Sequence, residues 1–377
     1  MGSSLRKHII TLSGTPCSGK STSNTILAQR LDYQTYSLGS EVKRRASELG
    51  IEPEQFYKQN EIEIDGKIQS LDDYLDGYQQ ELGEEKEKFI LDSRLGFYFV
   101  PQSFKIFLSC DTEEAAKRSH QTRGHERLYQ SVEKAKQTIA ERAEFEKINY
   151  QQKYGIPNFH LPFHYDLVID TTAKKPEEIV EQIIQEYQRY GQRTEDIKLL
   201  CRGHKMFVAK SFAYFSGPIT GGKSLYDAMK KHNVKRKDDL PPEAYGRIVD
   251  ENLKRSMHLK NQLEQKAGKT FILPGEFGSD KSGKVWSQRD YVDLSKEMIR
   301  IKATELVFEN GWEYSNGSVE EFLLALRLKK QTFDQQDNPL KKEKAISLLE
   351  VAVGEIHQAE IECPKLDYLL EQLRRMH

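Results

Sequence analysis

Gly14-Thr-Pro-Cys-Ser-Gly19-Lys20-Ser21 decides how this chain is read. It fits G-x-x-x-x-G-K-[ST], the spacing at which glycines let successive backbone N–H groups turn inward around a phosphate. The flanking sequence supplies the context this chemistry requires. His8-Ile-Ile-Thr-Leu-Ser13 is a short apolar run that reads as a strand, and Ser21 to Leu31 follows with helical spacing at Ile26, Leu27 and Leu31. A helix starting there adds its N-terminal dipole to the cradle. In that geometry Lys20 reaches the β- and γ-phosphates of a nucleoside triphosphate, and the Ser21 hydroxyl can ligate Mg²⁺. The residues expected around ATP are Gly14, Thr15, Pro16, Cys17, Ser18, Gly19, Lys20, Ser21 and Thr22. Cys17 reads as a small side chain packed beside the turn.

Downstream, Phe89–Asp92, Lys105–Ser109 and Tyr165–Asp170 read as buried strands. Between and after them lie the helical stretches Glu113 to Arg118, Ser131 to Tyr154 and Pro176 to Tyr190, and the alternation predicts a parallel α/β sheet. Asp92 ends a strand, where a carboxylate can hold Mg²⁺ or its water, and Arg94 would face the same cleft. Lys43 lies in a basic cluster with Arg44 and Arg45. Arg118, Arg123 and Arg142 fall in a region rich in charge and poor in core residues. That suits a lid whose arginines meet phosphates on closure, and such a lid moves rather than packs. Ordinary i,i+4 helix ion pairs are the competing reading.

The chain is too long for one ordinary domain, at 377 residues. Lys+Arg 57 against Asp+Glu 58 leaves a net charge of −1, which argues against a nucleic-acid binder and a stable nucleic-acid partner. No apolar run approaches the roughly 18 residues that span a bilayer, and the start lacks the pattern of a signal peptide. The four cysteines lie far apart and the ten histidines show no metal-ligand spacing. These features predict a cytoplasmic protein without a disulfide scaffold, a zinc site or a membrane partner.

After a polar break at Gly191–Asp196 a second alternation begins, with strands Phe212–Ser216, Lys269–Leu273 and Glu305–Phe308 and a helix Glu320–Lys329. The expected domains are 1–192 and 196–330, with a helical tail at 331–377 split near Pro364. The tail's apolar stripes need a partner surface, either the second domain or a second copy of the chain.

Residues 8–185 resemble a cytidylate kinase of the compact, archaeal type. The matching pieces are the phosphate loop, Ser37-Leu-Gly39, Glu48-Leu-Gly50 with Phe56 beyond it, Leu91-Asp-Ser-Arg94-Leu-Gly96, Arg142-Ala-Glu144-Phe-Glu146, Lys153-Tyr-Gly-Ile156 and Tyr165-Asp-Leu-Val-Ile-Asp170-Thr. The resemblance implies phosphoryl transfer from ATP with Mg²⁺ to CMP or dCMP, with Lys43, Arg94 and Arg142 on the acceptor phosphate. Two departures stand out. Lys43 replaces an arginine and loses its bidentate fork, and Asn149 replaces the second arginine of the lid motif. Both bear on acceptor preference and turnover.

Gly217-Pro-Ile-Thr-Gly221-Gly222-Lys223-Ser224 fits the same loop pattern, but nothing after it repeats the Asp-x-Arg strand or the arginine lid. Instead there follows Gly311-Trp312-Glu313-Tyr-Ser315-Asn-Gly317-Ser-Val-Glu320-Glu321-Phe-Leu-Leu-Ala325. This pair of motifs resembles the nucleoside 2-deoxyribosyltransferase superfamily, which includes deoxynucleoside-monophosphate N-glycosidases, over about residues 212–332. The resemblance implies a Rossmann-like domain. Gly217, Gly221, Gly222 and Ser315 would hold the ribose and 5′-phosphate, and Glu321, rather than Glu320, would be the nucleophile. Asp290 and Asp293, with Arg289 nearby, are candidates for the second carboxylate that manages the leaving base's proton. Phe277 to Trp286 reads as an inserted loop, and Trp312 as a core residue before a base-stacking one.

The sequence thus predicts two three-layer α/β domains with parallel sheets, the first a P-loop kinase fold, plus the helical tail. Two alternatives stay open: a kinase whose second domain only senses a nucleotide, and a P-loop kinase acting on another acceptor such as a polynucleotide 5′-OH.

Overall fold

The structure, a computed structural model, describes residues 8–52, 56, 62–64, 67–120, 131–203, 212–277 and 288–376. The chain divides into a unit Met1–Gly191 and a unit Gln192–His377. No helix among the described residues is long and apolar enough to cross a membrane.

The first unit runs β1 (Ile9–Gly14), α1 (Lys20–Leu31), β2 (Gln34–Ser37), α2 (Leu38–Glu48), β3 (Ile62–Ile64), β4 (Lys67–Gln69), α3 (Leu71–Glu85), β5 (Phe89–Asp92), α4 (Gly96–Phe99), β6 (Phe104–Ser109), α5 (Thr112–His120), α6 (Val132–Tyr154), β7 (Leu167–Asp170) and α7 (Pro176–Gly203). Its five-stranded sheet has the order β2-β5-β1-β6-β7, every neighbour parallel. β1 is buried along its whole length, which is why it reads as a continuous apolar run rather than an alternating one. Ile10, Leu12, Ile90, Ile106, Leu108 and Ile169 pack with Leu27 of α1 and with Ile179, Val180 and Ile183 of α7. From β1 the chain winds to one side of the sheet and from β6 to the other. The switch point falls between their C-terminal ends, where parallel α/β sheets open a ligand crevice.

Three differences from the sequence reading have physical causes. The boundary between the two units falls at the polar stretch Gly191–Asp196, as read from the sequence, but the stretch is helix rather than irregular linker, because α7 continues through it to Gly203. Gln, Arg and Glu are good helix formers, and one glycine costs only about 1 kcal/mol. The edge strand β2 is half-exposed and polar, so its sequence carries no strand pattern. The third difference lies in the tail.

The second unit runs β8 (Phe212–Ser216), α8 (Lys223–His232), α9 (Pro242–Ala267), β9 (Phe271–Ile272), α10 (Gln288–Ile301), β10 (Ala303–Phe308), α11 (Asn316–Arg327), β11 (Gln331–Asp334), α12 (Lys342–Gln358) and α13 (Pro364–Arg375). Its parallel sheet has the order β11-β10-β8-β9. Alternate residues of β8 face opposite ways. Phe212 and Tyr214 join one core, while Ala213 and Phe215 join another with Leu253, Leu259 and Leu263 of α9, so the sheet is covered on both faces.

The segment expected as a tail from 331 belongs to this unit. β11 pairs with β10, and Leu349, Val353, Leu366, Leu370 and Leu373 share a core with Tyr214, Phe308 and Phe322. The partner surface that the apolar stripes require is the unit's own sheet and α11. Leu366→Ala is therefore expected to destabilise the second unit by about 2–5 kcal/mol in denaturant unfolding, since Leu366 is fully buried. An appended tail would leave that transition unmoved.

Candidate active sites

In the first unit the loop after β1 lies at the switch point. Thr15 N donates to the Leu108 carbonyl at 3.0 Å, and a Cβ on Gly14 would come within 2.3 Å of that same carbonyl, so only glycine lets the loop leave β1 beside β6. The backbone turns left-handed at Cys17 (φ 56°) and Gly19 (φ 84°), which aims successive N–H groups into one concavity. Lys20, opening α1, folds back across the loop. Its Nζ donates to the Gly14 carbonyl at 3.5 Å and lies 3.8 Å from the Asp92 carboxylate at the end of β5. The register pairs Leu12 with Asp92, which sets that carboxylate beside the loop. Burial and the adjacent Arg94 guanidinium push the Lys20 ammonium down to about 8, against the opposing pull of Asp92 and Glu146.

Arg94 also donates to the Gly14 carbonyl, lies 3.3 Å from Glu146 and rests over the Phe159 ring at 5.9 Å. Arg142 on α6 donates to the same Glu146 oxygen at 2.9 Å. Glu146 thus gathers Lys20's neighbour Arg94 and the half-exposed Arg142 into one electropositive wall. Sequence reasoning gave Glu146 and Phe159 no role. A carboxylate in a charged run reads as solvated surface, and only its i+4 relation to Arg142 signals the pairing.

The other expected residues divide. Arg118 donates to the carbonyls of Cys17, Thr171 and Thr172 at 3.4, 3.0 and 2.8 Å, so it anchors the phosphate loop's backbone. Lys43 stands exposed on α2, and among the described residues no hydrogen bond or ion pair joins it to this cluster. Arg44 and Arg45 beside it are committed to the buried Glu41. Arg123 lies outside the described residues. The low core content expected between 113 and 154 holds for α6, where only Ala135 and Glu146 are buried. Its C-terminal end is tethered, with Tyr154 donating to Asp76 at 2.8 Å and Lys153 lying 2.9 Å from Asp73. Cys17 is partly exposed in the loop. The exposed Ser21 side chain at the start of α1 and the Asp92 carboxylate are hard oxygen donors, the set that suits Mg²⁺.

In the second unit the loop after β8 occupies the equivalent switch point, between β8 and β10. A Cβ on Gly217 would meet Ser256 Oγ at 2.5 Å and Glu309 Oε2 at 2.9 Å, so the turn demands glycine. Asn252 of α9 donates to the carbonyls of Pro218, Ile219 and Gly221 at 3.0, 3.1 and 3.0 Å and fixes the loop's course. Glu309 is buried and held by Arg255 at 2.6 Å and by Ser256. Lys223 separates this loop from the first. It does not fold back over the glycines as Lys20 does but turns outward to Glu355 at 2.7 Å. The pattern match at Gly217–Ser224 is therefore no second triphosphate cradle of the Lys20 kind.

Glu321 on α11 closes the crevice. Tyr214 Oη donates to one carboxylate oxygen at 2.5 Å and Ser216 Oγ to the other at 2.6 Å, the two donors standing two residues apart on one face of β8. Burial raises the Glu321 carboxyl above the ordinary carboxylate range, partly offset by Ser216, Tyr214 and Ser295. Burial and the Glu321 charge hold the Tyr214 phenol well above its usual range, so it remains a donor. Glu320, one residue away, instead pairs with Lys365 at 3.1 Å. Ser315 caps α11, and Gly221 packs against it, with a Cβ there reaching Ser315 Cα at 3.3 Å.

Ser295 of α10 faces Glu321. Asp293 lies two residues earlier on the same helix. The Asp290 side chain and residues 278–286 of the expected inserted loop lie outside what is described. Trp312 is core, packed against Phe308 and Phe322.

A glycine loop that wraps its own helix N-terminus, an inward lysine, a strand-end carboxylate and an arginine wall define the first unit as a kinase-like P-loop domain. Comparison with known proteins narrows this. A family model described as an AAA domain matches residues 10–143. The cytidylate kinase of Methanobrevibacter smithii is 31% identical over 176 residues, covering 47% of this chain and 96% of that protein. The N-terminal half of the chain belongs to the cytidylate kinase family. The S-adenosylmethionine-dependent nucleotide dehydratase of Lacinutrix mariniflava is 29% identical over 184 residues, and the chain spans 36% of its length. The shikimate kinase of Bacteroides thetaiotaomicron, 14% identical, aligns over 50% of this chain and 98% of its own with a TM-score of 0.35.

Proposed function

We propose that the first unit is an ATP-dependent nucleoside-monophosphate kinase of the cytidylate type. We further propose that the second is an N-glycosidase or deoxyribosyltransferase acting on a (deoxy)nucleotide, with Glu321 as nucleophile. The observation that carries the first reading is the convergence of Lys20 and Arg94 on the Gly14 carbonyl beside Asp92. In this reading the loop N–H groups cradle the ATP phosphates and Lys20 meets the β- and γ-oxygens. Arg94 and Arg142 leave Glu146 to hold the acceptor's phosphate, joined by Lys43. An acceptor phosphate oxygen attacks the γ-phosphorus in line, ADP departs, and these cations stabilise the charge spread over the transferring group. Mg²⁺, with Ser21 and Asp92 as its protein ligands, would supply further neutralisation of the β,γ-oxygens.

The second reading rests on the doubly hydrogen-bonded carboxylate of Glu321 in an α/β crevice. Its attack on the anomeric carbon would expel the base and form a glycosyl-enzyme, which water or another base then resolves. The glycine loop and Ser315 would seat the sugar and 5′-phosphate. The test is incubation with ATP·Mg²⁺ and a panel of ribo- and deoxynucleoside monophosphates, reading nucleoside diphosphate and free base separately. Diphosphate is expected with cytidine acceptors first. If neither product forms from any nucleotide, both readings fail.

A pH dependence follows for the second chemistry. Attack requires ionised Glu321, whose carboxyl is held above its ordinary range, so kcat/KM for base release should climb with pH through that raised value. Tyr214 lowers it by hydrogen bonding, so Tyr214→Phe should move the acid limb further up in pH. A limb that stays in place, or moves down, would dissociate Tyr214 from Glu321.

A further inference from the structure

The histidines show no metal-ligand spacing along the sequence, yet the turn between α12 and α13 brings His357, Cys363 and Asp367 together. His357 lies in the last turn of α12, Cys363 caps α13, and Asp367 follows it by four residues on the same helix face. Cys363 Sγ is 3.4 Å from His357 Nε2 and 3.9 Å from Asp367 Oδ2, and His357 Nε2 is 3.3 Å from that same Oδ2. Ligands about 2.0–2.3 Å from a tetrahedral zinc ion lie about 3.3–3.6 Å apart, so two of the three edges are already those of a zinc site. The third needs only a small rotation of the partly exposed carboxylate.

The arrangement does not suit a nucleophilic thiol. A Cys–His–Asp relay places the carboxylate on one ring nitrogen and the thiol on the other. Here both converge on the same nitrogen, Nε2, as ligands around one point do. The turn is also braced from outside. Glu362 N donates to the Lys235 carbonyl at 3.2 Å, Arg236 lies 3.2 Å from the Glu362 carboxylate, and Lys235 lies 3.6 Å from that of Glu360. Cys363 is reduced and buried, whereas His357 is half-exposed and Asp367 partly exposed, so the cluster lies where solvent reaches it.

We infer that His357, Cys363 and Asp367 bind a thiophilic divalent cation of the zinc class, which clips α12 to α13. One thiolate, one imidazole and one carboxylate favour zinc or cobalt over magnesium or calcium. Binding displaces the thiol proton to solvent, and no redox change is involved. Because α12 and α13 complete the core of the second unit, the cation should stabilise that unit by mass action.

The experiment titrates Co²⁺ into the reduced, chelator-stripped full chain. One equivalent per chain should produce a thiolate-to-cobalt charge-transfer band that Zn²⁺ then abolishes, and either ion should raise the unfolding temperature. Cys363→Ser should remove the band. His357→Ala, at a half-exposed position outside the core, should weaken binding at least about tenfold without changing the far-ultraviolet spectrum. This variant decides the question if the Cys363 variant fails to fold. Absence of the band in the wild-type chain, its persistence in Cys363→Ser, or unchanged affinity in His357→Ala would overturn the inference.

Discussion

Lys20→Ala is expected to lower nucleoside-diphosphate formation by about 10²–10³-fold or more and to leave base release untouched. The reason lies in where the ammonium is held. Lys20 lies across the loop, against the Gly14 carbonyl and Asp92, and is largely buried before any phosphate arrives. No reorganisation is then needed to meet the β- and γ-oxygens, and removing it deletes a preorganised positive charge from the site of phosphoryl transfer. The same burial gives the prediction a second readout. With its ordinary value depressed to about 8, Lys20 is increasingly neutral as pH rises above 8. A bound triphosphate favours the charged form, so nucleotide binding near pH 9 should take up a proton, measurable by calorimetry in buffers of different ionisation enthalpy. Below about pH 7 the uptake should vanish, and in Lys20→Ala it should be absent throughout. Proton release in that range, or uptake surviving the substitution, would contradict this placement of the charge.

The second large effect is at Glu321. Glu321→Ala is expected to reduce base release on the order of 10⁴-fold or more, the scale of losing a covalent nucleophile, with diphosphate formation unchanged. Glu320→Ala, one residue away, should cost little, because that carboxylate serves an ion pair with Lys365. A second unit that only senses nucleotide would release no base before or after either substitution. Glu321→Gln is the useful companion, because it keeps the side chain's shape against Tyr214 and Ser216 while removing the charge. It should be as inactive as the alanine variant.

The features legible in the sequence are those whose spacing is imposed by the ligand's geometry. Gly14 to Ser21 wraps a phosphate, so its pattern is nearly independent of the surrounding fold, and the strand before it and helix after it follow. The preference for Glu321 over Glu320 rests on the resemblance of Glu321-x-x-x-Ala325 to the deoxyribosyltransferase segment, and the two carboxylates have different partners, Tyr214 and Ser216 against Lys365. What escaped notice depends on contacts between distant segments. Asn252, which carries three carbonyls of the second glycine loop, lies far along a charged helix with no local mark. Glu146 looks like surface charge until Arg94 comes beside it. β11 is polar because it lies at the sheet edge, so its reading as the start of a separate tail hid the fact that α12 and α13 complete a core. His357, Cys363 and Asp367 meet only because a helix corner folds them together.

The central claim is that one chain carries two separable nucleotide chemistries. The most direct measurement follows diphosphate and free base in parallel for the wild-type chain, Lys20→Ala and Glu321→Ala, each supplied with ATP·Mg²⁺ and a pyrimidine deoxynucleoside monophosphate. The wild-type chain should form both products, the Lys20 variant only free base and the Glu321 variant only diphosphate. Loss of both products through either single substitution, or the absence of either product from the wild-type chain across all nucleotides, would contradict it.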